Sequence, residues 1–394
     1  MLFYMNVGFR PGISLLIGSV LASLRVSAQT PVVTQTNTTI RMMASNLSSG
    51  NNQRYETPGL DILKGLKPDI VAMQEFNYAS TNGLGINTPA AVREMIDATF
   101  GTNFNYFRET NSGYTIPNGI ISRWPMLSSG SWVDVDTGVN DRGFAWAQID
   151  IPGTNDLYVV SVHLKASSGS ANADRRTAQA TNVVKLIRDT FPANAWVIVA
   201  GDCNVYGTSE AAYQCLATNF SDSPIPTDAV SGGNANTSSS RSTRYDYVFP
   251  SQSFSNQLTA TAFPSHPFPN GLVFDSRIYS PLTDVAPVQS GDSAATGMQH
   301  MGVMRSFNVS YYVTNYLSNP PSAPAILSAL TYNPNQQFQF TVSGTQGSNY
   351  VVQASTNLTA SNWVSLKTNV SPFTFVESNA SFYARRFYRA VAWP

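Results

Sequence analysis

The chain has 394 residues, enough for more than one domain, and its 23 Lys and Arg residues balance 23 Asp and Glu residues. The formal net charge of zero argues against a protein that holds nucleic acid tightly through an overall basic surplus, although local patches can still be basic. Charged residues make up only 12% of the chain, and this polar but weakly charged composition favours an exported protein.

The amino terminus has the pattern of a secretory signal peptide. Arg10 precedes an apolar stretch at 13–24 and a small-x-small triplet ends at Ala28, so we predict a signal peptide at 1–28 that is cleaved after Ala28. A membrane anchor is the alternative, but the stretch is shorter than the ~20 residues that span a bilayer, and Arg25 ends it. We therefore expect a secreted, periplasmic or cell-surface protein whose mature chain has no integral membrane segment.

Four apolar, strand-like runs end in polar residues that can take part in chemistry. The runs and their ends are 40–46 with Asn46, 68–75 with Gln74 and Glu75, 157–163 with His163, and 196–204 with Asp202, Cys203 and Asn204. Residues i and i+2 of a strand point to the same side, so Asp202 and Asn204 can converge on one target. Gly, Asp and Asn also favour turns, so any single end could be a simple strand boundary. Four such ends favour a shared site.

Short strands and helical patterns alternate from about residue 39 to residue 312, which predicts a layered α/β domain within 29–317. Periodicity predicts helices at 60–67, 90–100 and 175–189, and strands at 119–122, 144–151, 158–163, 196–200 and 301–309. The segment 221–244 is rich in Ser, Gly, Asn and Thr, and 256–293 lacks clear periodicity. We predict that both are long loops that shape a substrate groove.

A second, all-β domain is predicted at the carboxyl end. A Pro-rich linker at 318–325 precedes strand-like runs at 337–342, 350–354, 363–366, 373–376 and 387–391. We interpret 326–394 as a small β-sandwich with no catalytic constellation, whose aromatic residues form its core. It is similar to carboxy-terminal modules of secreted bacterial enzymes, and we expect it to bind a surface or another protein.

Seven short motifs appear in the order found in one enzyme family. They are Asn46; Gln74-Glu75; Asn118-Gly119-Ile120-Ile121-Ser122-Arg123; Ser161-Val162-His163; Gly201-Asp202-Cys203-Asn204; Tyr245-Asp246-Tyr247-Val248-Phe249; and Gln299-His300. The ordered set resembles the endonuclease/exonuclease/phosphatase superfamily of deoxyribonuclease-like, metal-dependent phosphodiesterases. The resemblance implies a four-layer α/β/β/α sandwich of two mixed sheets with the site at one end.

The resemblance also implies a divalent cation, Mg²⁺ or Mn²⁺, with Ca²⁺ as a further alternative. Magnesium prefers oxygen ligands, and the matching residues are Glu75, the neutral oxygen of Asn46 and the residue at 299. The family usually has Asp directly before the last His, whereas this chain has Gln299. Three interpretations follow: altered metal demand, a weakened enzyme, or a degenerate member. Alternatively, Asp292 supplies the missing carboxylate from the preceding loop.

The remaining family positions carry the catalytic roles. By resemblance, Asp202 orients or deprotonates the attacking water, Asn204 holds a phosphate oxygen, and His163 and His300 flank the phosphate. A catalytic histidine needs a partner that fixes its tautomer. For His300 this partner is Asp246.

Three further residues are assigned to support. Glu109 is the predicted partner of His163. Asn118 and Arg142 are predicted to contact the phosphate or to support the site. The third histidine, His266, is expected to lie in a loop.

The two cysteines, Cys203 and Cys215, leave two alternatives open. An oxidising compartment permits a disulfide, which would pin the loop after the catalytic strand. The alternative is two free, buried thiols. In either case the Cys203 side chain is expected to face away from the site, because it lies between two site residues.

The motifs indicate a metal-dependent phosphoric ester hydrolase and leave its substrate open. DNA or RNA, a phospholipid headgroup such as that of sphingomyelin, and a phosphomonoester are all consistent with them. A non-catalytic binding or surface protein on the same scaffold is a second class. A hydrolase with Ser161 as nucleophile is a third, but no Gly-x-Ser-x-Gly elbow surrounds that residue. The oligomeric state is not indicated.

Overall fold

The computed structural model describes residues 32–49, 53–78, 87–111, 113–134, 142–315, 323–333, 337–357, 363–378, 380, 383 and 386–393. The predicted signal peptide at 1–28 and residues 318–322 of the predicted linker lie outside the described residues. The chain divides into two compact units, Thr36–Tyr311 and a second unit that contains Tyr312–Pro394. No helix among the described ranges combines the length and apolarity needed to cross a bilayer.

The described residues of the larger unit form fourteen strands and five α-helices. The strands are β1 (Val32–Ser45), β2 (Ile70–Met73), β3 (Asn105–Arg108), β4 (Gly119–Ser122), β5 (Met126–Trp132), β6 (Phe144–Ile149), β7 (Leu157–His163), β8 (Trp196–Asp202), β9 (Asp246–Pro250), β10 (Leu258–Thr259), β11 (Thr261–Ala262), β12 (Pro267–Phe268), β13 (Leu272–Phe274) and β14 (Gly302–Asn315). The helices are α1 (Thr57–Leu66), α2 (Pro89–Thr99), α3 (Ser170–Thr190), α4 (Ala211–Asn219) and α5 (Gln252–Ser255), with 3₁₀ turns at Leu282–Val285 and Asp292–Ala294.

Two mixed sheets form the centre of this unit. The first has the order β10-β14-β1-β2-β4-β3 with β13 also paired to β14, and the second has the order β5-β6-β7-β8-β9. Within them β1 and β2 are parallel, as are β7 and β8. Parallel neighbours end at the same edge of a sheet, so the polar residues that follow these four strands are brought together in pairs.

Three apolar clusters separate four layers. Side chains of both sheets, such as Ile70 of β2 and Val159 of β7, form the central cluster. A second cluster lies under α1 and α2 and includes Leu63 and Met95. A third lies under α3 and α4, where Val183 is buried. The predicted four-layer α/β/β/α sandwich is therefore confirmed.

The carboxy-terminal unit is an antiparallel β-sandwich, as predicted. Its strands are β15 (Ile326–Tyr332), β16 (Phe338–Ser343), β17 (Asn349–Ser355), β18 (Val364–Val370), β19 (Phe373–Glu377) and β20 (Phe387–Ala392). They form two three-stranded sheets, β15-β16-β19 and β18-β17-β20. Alternating apolar residues, among them Phe340, Val352 and Tyr388, enclose one core.

The elements that the sequence did not predict have weak patterns. Strand β5 has mainly Ser and Gly in its middle. It lies at the edge of its sheet, and its residues 127–129 are exposed. Strand β3 has only four residues, all half-buried. Helix α4 buries only Ala212 and Leu216. The segment 221–244 has no helix or strand, as predicted, whereas 256–293 folds into very short strands and 3₁₀ turns.

Candidate active site

Seven of the predicted residues meet at one edge of the larger unit, where strands of both sheets end. We call them the site cluster: Asn46, Glu75, His163, Asp202, Asn204, Asp246 and His300. All seven side chains are buried. Strand register explains the convergence, because Ser45 pairs with Met73 in the first sheet, and His163 and Asp246 both pair with Asp202 in the second.

Asp202 lies at the centre of this cluster. Its Oδ2 accepts a hydrogen bond from Asn46 Nδ2 at 3.1 Å and lies 3.4 Å from His163 Nε2 and 3.5 Å from His300 Nε2. Its Oδ1 accepts the main-chain N–H of Asn204 at 2.9 Å. The Asn204 Nδ2 in turn donates to the Leu164 carbonyl at 3.1 Å and keeps a second N–H for another acceptor.

Glu75 lies beside Asn46, the other polar residue that ends a strand of the first sheet. The Asn46 amide nitrogen lies 3.5 Å from Glu75 Oε1, and the same oxygen accepts a hydrogen bond from Gln53 Nε2 at 3.0 Å. The Ser48 hydroxyl donates to the other carboxylate oxygen. Four side chains thus hold one another in a fixed arrangement next to Asp202.

His300 pairs with Asp246, the residue that was predicted to orient it. The His300 Nδ1 is 2.8 Å from Asp246 Oδ2, and Asp246 is completely buried. Burial alone would lower the pKa of His300, but the charges of Asp246 and Asp202 outweigh it and raise this pKa to about 10. His300 is therefore an imidazolium at neutral pH.

His163 has the opposite protonation state. Burial lowers the pKa of His163 well below its usual value, and the charges of Arg142 and His300 lower it further. The neutral ring directs Nε2 towards Asp202, while its Nδ1 has no hydrogen-bond partner among the described residues. The site therefore combines one neutral and one charged imidazole around the same carboxylate.

The predicted pairing of Glu109 with His163 is wrong. The Glu109 carboxylate accepts the main-chain N–H groups of Asn118 at 2.7 Å and Gly143 at 3.2 Å, and it also accepts the Ser131 hydroxyl. These contacts connect the residues that begin β4 and β6 with β5. Glu109 is therefore part of the scaffold beside the site.

Asn118 and Arg142 also make scaffold contacts. Asn118 Nδ2 donates to the Gly143 carbonyl at 2.7 Å. Arg142 donates from Nε to the His163 carbonyl at 2.8 Å and from Nη2 to the Leu164 carbonyl at 3.1 Å. Of the two roles predicted for these residues, the contacts favour support of the site, since Arg142 fixes the main chain at the end of β7.

Gln299 is not brought into the site cluster. Its side chain is exposed, and its main-chain carbonyl accepts the N–H of Ser239 at 2.8 Å, while the adjacent His300 is buried. The alternative carboxylate, Asp292, accepts the main-chain N–H of Gln289 at 2.7 Å. No hydrogen bond or ion pair within the described ranges joins Asp292 to the cluster, so it does not replace the missing carboxylate.

Residues next to the cluster lock the two sheets together. Gln74 Nε2 donates to Ser161 Oγ at 2.9 Å, and Ser161 Oγ donates to the Met73 carbonyl at 3.0 Å. This completely buried hydroxyl has a structural role, which removes the basis for a Ser161 nucleophile. Gly201 is required here, because at its φ of +139° a Cβ atom would lie 2.1 Å from the Val162 carbonyl oxygen.

Two site residues have unusual backbone conformations. Glu75 and Asn204 each lie two residues beyond the end of a strand and have a φ of +50°. A left-handed conformation costs a residue other than glycine about 1–3 kcal/mol, and such strain is concentrated at functional sites. The turns therefore keep both side chains at the site at the expense of local backbone stability.

Both cysteines are free thiols. Cys203 is buried in the cluster of apolar side chains under α3 and α4, on the side of β8 that faces away from the site. Burial raises the pKa of the Cys203 thiol well above its usual value, which makes it a poor nucleophile. Of the two alternatives left by the sequence, the structure has the free thiols.

The profile of the Endonuclease/Exonuclease/phosphatase family matches residues 60–268, more than half of the chain. The chain belongs to this family. No curated protein sequence matched the chain.

Solved structures of this endonuclease/exonuclease/phosphatase family are among its structural neighbours. An endonuclease/exonuclease/phosphatase from Beutenbergia cavernae is 17% identical, with 90% of this chain and 92% of that chain covered and a TM-score of 0.45. The human Nocturnin catalytic domain is 15% identical, with 72% and 98% covered and a TM-score of 0.44. An AP endonuclease from Archaeoglobus fulgidus is 14% identical, with 68% and 99% covered and a TM-score of 0.43.

The site of this family member has donors suited to a hard divalent cation. The buried Asn46 Oδ1 has no hydrogen-bond partner among the described residues, and the amide nitrogen of the same side chain lies 3.5 Å from the Glu75 carboxylate. Asp202, Asp246 and His300 offer a second group, whose ligand atoms lie within 4.8 Å of one another. His300 must lose its proton to bind a metal there, so the oxygens of Asn46 and Glu75 are the better fit for Mg²⁺.

Sequence reasoning missed the two side chains that hold Glu75. Ser48 lies two residues after Asn46, but both follow the end of β1, where strand alternation no longer predicts which side chains share a face. Gln53 reaches Glu75 from a loop, and no pattern in the sequence indicates that contact.

Proposed function

We propose that the protein is a secreted, Mg²⁺- or Mn²⁺-dependent phosphodiesterase that hydrolyses phosphodiesters by in-line attack of water, with nucleic acid as the substrate class. The observation that carries the proposal is the set of contacts around Asp202. One carboxylate is surrounded by an amide, a neutral imidazole and a charged imidazole, next to the Glu75 carboxylate, which Asn46, Ser48 and Gln53 hold in place.

Each residue of the site cluster has its own role in the proposed reaction. When bound at Asn46 and Glu75, the cation neutralises phosphate charge and stabilises the leaving oxygen. Burial raises the pKa of Asp202 to about 7, against the lowering effect of His300, so this carboxyl is poised to accept a proton from water near neutral pH. The second N–H of Asn204 is available to a non-bridging phosphate oxygen.

The two imidazoles act on different groups, His300 on the phosphate and His163 on the Asp202 carboxylate. His300, held protonated by Asp246, attracts the phosphate and can donate its proton to the departing oxygen. Neutral His163 directs Nε2 towards Asp202 at 3.4 Å and so orients the carboxylate that accepts the proton of water. Hydrolysis of a diester requires a proton acceptor for the attacking water and a proton donor for the departing oxygen, and Asp202 and His300 supply such a pair.

Metal removal tests the proposed function. Mature protein stripped with chelator is expected to lose hydrolysis of bis(p-nitrophenyl) phosphate, and added Mg²⁺ or Mn²⁺ restores it. Chelator-resistant activity would contradict the metal role. Absence of turnover with calorimetrically demonstrated metal binding would support a non-catalytic binding protein instead.

Secretion rests on the amino-terminal pattern of Arg10, the apolar stretch at 13–24 and Ala28. Protein exported from a bacterial host is expected to begin at Gln29 when its amino terminus is sequenced. An intact amino terminus on cell-associated protein would contradict the proposed cleavage.

A further inference from the structure

A line of three aromatic rings extends from the site cluster to the protein surface. The centroids of the His300 and Tyr245 rings are 5.7 Å apart, and those of the Tyr245 and Tyr206 rings are 5.6 Å apart. Tyr206 is 45% exposed and Tyr245 is half-buried. We call Tyr206 and Tyr245 the tyrosine platform. Tyr206 follows Asn204 by two residues, so the platform begins where the proposed phosphate contacts end.

The Tyr206 side chain is exposed, although its main chain is held in place by neighbouring residues. Its main-chain N–H donates to Glu210 Oε2 at 3.1 Å, and Glu210 pairs with Arg176 through contacts of 2.5 Å and 3.2 Å. Arg176 is only 1% exposed, and its Cζ lies 5.3 Å from the centroid of the Tyr206 ring. The ion pair between Arg176 and Glu210 thus holds Tyr206 in position, although the exposed Tyr206 ring gains little stabilisation from its own burial.

Tyr245 is held equally firmly. Its main-chain N–H donates to Thr237 Oγ1 at 2.9 Å, and its carbonyl accepts the N–H of Cys203 at 2.8 Å. These bonds fix the main chain of Tyr245, and its ring contacts the rings of His300 and Tyr206. Exposed aromatic rings held in this way are suited to stack on a planar ligand, because stacking then costs little conformational entropy.

We propose that the tyrosine platform stacks a nucleobase that is attached through its sugar to the phosphate at His300. This inference rests on the proposed function and adds the residues that recognise the base of the substrate. One sugar separates phosphate from base in a nucleotide, so a phosphate beside His300 places the base against Tyr245 or Tyr206. Every nucleobase has a π-face, so the contact is independent of sequence.

The charge around Tyr206 favours a neutral planar group over a quaternary ammonium such as choline. The guanidinium of Arg176 already lies against the Tyr206 ring, and a second cation on this ring would be repelled by it. The proposed ligand is therefore a nucleobase, and a choline headgroup is the competing outcome of the test.

The test compares two diesters that differ only in their bases, thymidylyl-thymidine and an analogue lacking both bases. Stacking is worth about 1–3 kcal/mol per base, so Tyr206→Ala is expected to lower the ratio of kcat/KM for the two diesters by about 5- to 150-fold. Tyr206→Phe is expected to keep most of the ratio. Tyr332→Ala, at a tyrosine of the other unit with 42% exposure, is the matched control.

An unchanged kcat/KM ratio in both Tyr206→Ala and Tyr245→Ala overturns the platform. A larger loss of kcat/KM in these variants with glycerophosphocholine than with the dinucleotide also overturns it. Failure of the wild type on every diester, metal present, overturns the proposed function instead. Binding then still decides the inference: saturation-transfer NMR is expected to show thymidine monophosphate bound to wild type and weakened in Tyr206→Ala. Equal binding by the two proteins would contradict it.

Discussion

An Asp202→Asn variant is expected to fold and to lose about 10²- to 10⁴-fold in kcat, the usual contribution of general acid–base catalysis. Asparagine keeps an oxygen for the Asn204 N–H, so the turn after β8 survives. The change removes the proton acceptor and places an amide against the donors Asn46 and His300. The measurement is single-substrate kinetics with saturating Mn²⁺, together with the melting temperature of each variant.

Asp292→Asn is the matched control for this variant. Asp292 is also a buried Asp, but its carboxylate accepts a hydrogen bond from Gln289, outside the site cluster. We expect Asp292→Asn to retain most of the activity. Loss of kcat in Asp292→Asn with full activity in Asp202→Asn would show that a different carboxylate accepts the proton.

A Glu75→Gln variant is expected to reduce activity by at least about 100-fold at a metal concentration that saturates the wild type. Replacement of residues that merely support metal ligands typically costs 10–100-fold, and Glu75 is a carboxylate next to Asn46, whose Oδ1 has no hydrogen-bond partner among the described residues. Added metal should recover part of the loss, because the amide keeps one oxygen. Activity as a function of free Mn²⁺ measures both effects.

Glu109→Gln separates this effect from a general loss of stability. Glu109 is as buried as Glu75, but its carboxylate binds main-chain N–H groups of the scaffold. We expect Glu109→Gln to lower the melting temperature while the folded fraction keeps the wild-type metal dependence. An equal shift in metal dependence in both variants would contradict the assignment of Glu75 as the ligand.

The strands that carry the site were predictable because their patterns are strong and local. Four apolar runs each ended in a polar residue, and the register of parallel strands then brought Asn46 beside Glu75 and His163 beside Asp202. Strand β4 was predicted with its observed bounds, because Gly119 begins it and an Arg-Trp-Pro sequence follows it.

Contacts made across loops were not predictable in the same way. The partner of Glu109 depends on how the chain before β4 and β6 packs, and the main-chain N–H groups of Asn118 and Gly143 compete successfully for its carboxylate. Gln53 reaches Glu75 only after β1 and β2 are paired. The exposed position of Gln299 likewise follows from the pairing of its carbonyl with Ser239. Side-chain partners chosen by tertiary packing leave no periodic signal.

The central claim is that Asn46 and Glu75 hold a divalent cation beside the carboxylate of Asp202. The most direct measurement is an anomalous difference map from a crystal of the protein soaked in Mn²⁺ at a concentration that supports turnover. We expect a peak bounded by the Asn46 and Glu75 side chains. A map without a peak at this position, or with Mn²⁺ bound only elsewhere, would contradict it.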